Sequence, residues 1–103
     1  LPYKAVIHAV GPRMGDGNEE YKIARALLSA FKIANENEWT SLAFPGISSG
    51  IFSVPADVCA RAYLKAVETY FRQYPQGSLK KIILCLHLGP LVKAVEKALC
   101  RKP

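Results

Sequence analysis

An α/β fold with a largely parallel sheet, three-layered as α/β/α and ordered β-α-β-α-β-α, is the architecture this sequence predicts. Two observations lead there. Short apolar runs alternate with longer segments whose apolar residues recur at helical spacing. Glycine and proline punctuate the boundaries between them. Such alternation implies a parallel sheet covered on both faces, with right-handed crossovers.

The elements follow in order. Ala5, Val6, Ile7, His8, Ala9 and Val10 form a buried strand stopped by Gly11 and Pro12. Gly15, Asp16, Gly17 and Asn18 form a turn, and Asn18 is expected to cap the next helix, with Glu19 and Glu20 at the positive end of its dipole. Ile23, Leu27, Phe31 and Ala34, widened by Ala24 and Leu28, then mark a helix running to about Asn37. Ser41, Leu42, Ala43, Phe44 and Pro45 form a second strand, which Pro45 can only close. A small-residue loop over 46–53 leads to a second helix with Pro55 in its first turn and Asp57 close behind. Val58, Ala62, Ala66, Val67, Tyr70 and Phe71 make its apolar face, and Pro75, Gln76, Gly77 and Ser78 end it. The third strand spans 81–87. Gly89 and Pro90 turn the chain into a last helix, where Val92, Val95 and Leu99 share a face. All 103 residues read as one domain or a piece of one.

Composition narrows the function classes. No apolar run is long enough to span a membrane, and no secretory signal opens the chain. Cys59, Cys85 and Cys100 are too widely spaced for a metal site and read as reduced thiols of a cytoplasmic or nuclear protein. The net charge of +6 favours anionic partners without naming one, because the basic residues are scattered rather than blocked. His8 reads as a hydrogen-bonded core residue, Trp39 as a packing residue, and Asp16, Glu19 and Glu20 as turn and helix-start residues.

The segment with chemical potential is Gly46, Ile47, Ser48, Ser49, Gly50, Ile51 and Phe52. It lies at the carboxyl end of a strand, where open α/β sheets bind ligands. Its glycines permit conformations closed to other residues, its serines donate, and a helix begins just after it. Successive amides in such a turn suit phosphate oxygens. A plain corner between strand and helix explains the same residues equally well. The Walker spacing and the dinucleotide fingerprint are both absent. No base is evident to make Ser48 or Ser49 a nucleophile.

Two motifs resemble one family. Val6-Ile7-His8-Ala9-Val10-Gly11-Pro12 is similar to the V-I-H-x-V-G-P strand of macrodomains. Residues 41–52 are similar to that family's S-I-A-F-P-x-I-S motif, continued by a small residue, Gly, Ile or Val, and an aromatic. The resemblance implies a macrodomain-like fold binding ADP-ribose or ADP-ribosylated protein, with no cofactor and no metal. It implies that the diphosphate is held by backbone amides over 48–52, with Phe52 beside the distal ribose. His87 and Leu88 then stand near the adenine or its ribose.

The family's N-A-A-N motif and Gly-rich loop have no match here. That segment supplies a central strand and, in hydrolytic members, the residues that position water. The chain is accordingly expected to be the C-terminal portion of a macrodomain, to draw the missing part from another chain, or to pair its strands directly. Apolar strand edges left open would favour association with itself or with such a segment. An ADP-ribosyl hydrolase or ADP-ribose 1″-phosphate phosphatase is the alternative for an intact protein. A basic nucleic-acid-binding module is the alternative from another class.

Overall fold

The computed structural model describes residues 11–47, 53–85 and 89–100, without the side chains of 99 and 100. The expected strand over 5–10, with His8, lies outside them. The described elements are α1 (Glu19–Glu36), β1 (Ser41–Pro45), α2 (Ala56–Gln73), β2 (Lys81–Cys85) and α3 (Pro90–Cys100).

Helix α1 forms on the predicted stripe: Ile23, Leu27, Ala30, Phe31 and Ala34 are buried. Its start differs from expectation. Asn18 takes a left-handed conformation (φ 52°) and makes no side-chain cap. Glu19 supplies the acceptor instead, its carboxylate receiving the Gly15 and Gly17 N–H groups at 2.9 and 3.0 Å. A carboxylate reaching back over a glycine turn satisfies two amides at once, which a short Asn side chain aimed away cannot do. At the other end, the Asn37 amide donates to the Ile33 carbonyl at 2.8 Å. Trp39 N–H closes onto the Ala34 carbonyl at 3.0 Å. Trp39 packs half-buried against the core, as expected.

Strands β1 and β2 pair in parallel, with Leu42 opposite Ile82 and Phe44 opposite Leu84. These four side chains face the helices. The alternate residues, Ser41, Ala43, Pro45, Lys81, Ile83 and Cys85, are exposed. The α/β class and the parallel pairing hold.

Helix α2 buries Cys59, Ala60, Ala62, Tyr63, Ala66 and Tyr70. Phe71, expected on this face, is exposed, because the buried stripe passes through Tyr70 and one residue further turns about 100° away. Pro55 stands just outside the helix, as its N-cap, rather than in the first turn. Phe44 on β1 meets Phe31 on α1 at 5.9 Å and Tyr63 on α2 at 5.6 Å between centroids, and Phe31 meets Tyr70 between the two helices at 5.9 Å. Each tilted or edge-on pair contributes about 0.5–1.5 kcal/mol beyond area burial. In α3, Val95 is buried, with Leu91, Ala94 and Ala98 packed beside it. Val92, expected on that face, is half-buried at its flank.

The turn between α2 and β2 is locked to the end of α1. Asn35 Oδ1 accepts the Ser78 N–H at 2.9 Å, and the Ser78 hydroxyl donates to the Trp39 carbonyl at 3.0 Å. Gly77 is required there by close approach. A Cβ on it would lie 2.6 Å from Asn35 Oδ1 and 2.9 Å from the Tyr70 hydroxyl.

Candidate functional site

Pro45 and Cys85, the last residues of β1 and β2, are register partners. The two connections toward α2 and α3 therefore leave from the same end of the sheet, where parallel α/β folds hold their ligands.

Of the residues expected to bind, Gly46 and Ile47 are described; Ser48, Ser49, Gly50, Ile51, Phe52, His87 and Leu88 lie outside the described residues. Gly46 and Ile47 are both half-buried. Ile47 N–H turns back to the Pro45 carbonyl at 2.9 Å. The Ile47 carbonyl accepts the Tyr63 hydroxyl at 2.5 Å, and its side chain packs against the core. The chain thus enters the loop from a fixed position.

The exit is fixed as well. Ser53 adopts a left-handed conformation (φ 59°), and Val54 is buried. The Val54 carbonyl accepts the Cys59 thiol at 3.6 Å. Burial raises the Cys59 pKa and keeps the thiol protonated. Pro55 offers no capping oxygen, and the Asp57 carboxylate meets the Asp57 and Val58 amides of the first turn instead. The positive end of the α2 dipole lies where Ser53, Val54 and Pro55 lead into the helix.

Around this end stand charged groups. Arg61 reaches Glu20 at 2.9 Å and Asp57 at 3.2 Å, joining the starts of α1 and α2 at the surface. The Arg61 hydrogen bond holds the Asp57 carboxyl below its ordinary range. Arg61 is held above its own by Glu20 first and Asp57 second. Asp57, Arg61, Lys93 and Lys97 line an open groove of about 400 Å³ between α2 and α3, together with Ala56, Ala94 and Ala98.

No sequence motif marks Tyr63. Its spacing from Cys59, Ala66 and Tyr70 is helical, so its burial is legible in the sequence. Its partner carbonyl, in a different element, is not.

A macro domain family model matches residues 1–63 of this chain, a span holding both sequence motifs. An O-acetyl-ADP-ribose deacetylase of Shigella flexneri is 38% identical over 76 residues, 72% of this chain and 43% of the relative. An uncharacterised protein of Saccharolobus solfataricus is 37% identical over 87 residues, 84% of this chain and 46% of the relative. The chain thus spans less than half the length of these curated relatives. The solved macrodomain of Oceanobacillus iheyensis with ADP superposes with a TM-score of 0.86 at 20% identity, over 97% of this chain and 52% of that one. A glycine-to-valine variant of that macrodomain with ADPR gives a TM-score of 0.85. Motif, family model and backbone agree, and this chain belongs to the macro domain family.

Proposed function

We propose that the chain binds ADP-ribose, free or attached to protein, with the diphosphate held by backbone amides over residues 48–52. His87 and Leu88 then flank the nucleoside. The reading rests first on the site's frame. Ile47, just before the loop, is pinned by Tyr63, and Val54, just after it, is buried where the chain enters α2. Fixing both ends of a loop lowers the ordering cost of binding an anion on its amides. The ADP and ADPR in the Oceanobacillus macrodomain structures support a ligand of this nucleotide class. The free thiols Cys59 and Cys85 accord with a cytoplasmic or nuclear setting.

A second reading, hydrolysis of an ADP-ribose ester, is favoured by the deacetylase names of the bacterial relatives. It requires polar residues that position water, and turnover of O-acetyl-ADP-ribose by the chain tests it directly.

Calorimetry with free ADP-ribose tests the binding reading. Gly50→Glu puts a carboxylate where the diphosphate is to lie, and like-charge juxtaposition costs several kcal/mol, so affinity should fall about a hundred-fold or more. Equal affinities for wild type and variant would sink it. A salt dependence as steep as that of a polycation on nucleic acid would favour the nucleic-acid alternative.

A further inference from the structure

The groove between α2 and α3 is lined by residues other than those proposed to hold the diphosphate. It is lined by three cations, Arg61, Lys93 and Lys97, against one carboxylate, Asp57. Arg61 is occupied by Glu20 and Asp57. Lys93 and Lys97 have no acidic partner among the described residues, so their charge faces the open groove. They are one helical turn apart, a rise of about 6 Å. Alternate residues of an extended peptide recur on one side at about 6.5 Å. Two carboxylates at i and i+2 therefore match the two ammonium groups in spacing. The small alanine side chains in the lining let a peptide backbone come close.

From this geometry we propose that the groove takes an extended acidic peptide segment, with carboxylates at alternate positions on Lys93 and Lys97. Among the described residues no aromatic side chain lines the groove, which removes the stacking that single-stranded nucleic acid uses on its binding surfaces. One wall, Ala56 and Asp57, follows Ser53, Val54 and Pro55 at the exit of the loop. Resting on the ADP-ribose reading above, the groove would then receive the residues beside the modified side chain of a target protein, and select acidic ones.

The test uses four probes on the full chain. They are free ADP-ribose, an ADP-ribosylated peptide with Glu at the two alternate positions, the same peptide with Gln there, and the unmodified Glu peptide. Each is titrated against wild type and the charge-neutralised Lys93→Gln/Lys97→Gln, whose exposed helical sites leave folding to be checked by circular dichroism. Two surface ion pairs should give the Glu peptide about a five-fold advantage over the Gln peptide. The double variant should lose that advantage while binding free ADP-ribose as wild type does. The unmodified Glu peptide should shift the amide resonances of Lys93 and Lys97, and this arm reads the groove even if ADP-ribose fails to bind. Equal affinity for Glu and Gln peptides would overturn the proposal, as would an advantage surviving in the double variant. Single-stranded RNA shifting the same resonances at lower concentration would overturn it in favour of a nucleic-acid surface.

Discussion

The Tyr63 hydroxyl on α2 donates to the Ile47 carbonyl at 2.5 Å, 16 residues away along the chain. One bond thus ties the helix that follows the candidate loop to the residue that opens it. Tyr63→Phe removes the donor and keeps the ring against Phe44. Stability should fall by about 1 kcal/mol, the net worth of such a bond. Affinity for ADP-ribose should fall about five-fold, because a looser loop must be ordered on binding. Calorimetry beside a thermal melt reads both, and unchanged affinity would detach Tyr63 from the site.

Gly77 sits where no side chain fits. Gly77→Ala should cost about 1–3 kcal/mol, since the methyl group meets Asn35 Oδ1 and the Tyr70 hydroxyl. Asn35 cannot withdraw without releasing the Ser78 N–H. The Tyr70 hydroxyl is buried without a hydrogen bond of good geometry among the described residues, and burial raises its pKa. Tyr70→Phe alone should therefore be near neutral or stabilising. Combined with Gly77→Ala it should recover part of the loss, and urea denaturation of the three variants gives the coupling.

The two described thiols differ in reactivity. Cys59 is buried, its pKa raised by burial, whereas Cys85 is exposed at the end of β2. Alkylation proceeds through the thiolate. Iodoacetamide on the native chain should modify Cys85 well before Cys59, with Cys59 following at the rate of unfolding. Peptide mapping by mass spectrometry shows the order, and early labelling of Cys59 would contradict its place in the core.

Glu19 confers acid sensitivity. The Gly17 N–H, then its own amide and that of Gly15, lower its pKa in the fold. A depressed carboxyl adds stability above its unfolded value, about 4.3, and that stability is lost as pH falls through the lower folded value. Glu19→Gln should melt at lower temperature than wild type near neutrality and converge with it in acid. Parallel melting curves at every pH would refute the assignment.

Much of this was legible along the chain. The helical stripe from Ile23 to Ala34, the parallel strands at 41–45 and 81–85, the loop after Phe44 and the family itself follow from periodicity and local motif. Those signals arise from residues close in sequence. The misjudged features lie where distant residues compete. Glu19 displaced Asn18 as the partner of the turn, the buried stripe of α2 left Phe71 in solvent, and Leu91 took the place of Val92 in α3.

The amino-acid order alone determined the element sequence and, through its likeness to macrodomain motifs, pointed to the ligand class and the segment proposed to hold it, because helix period, turn chemistry and motif are written in neighbouring residues. Only the folded chain brought Tyr63 onto Ile47, Arg61 between Glu20 and Asp57, and Lys93 and Lys97 across from the start of α2. Those meetings depend on how helices pack over a parallel sheet, and no local pattern encodes the distance between them.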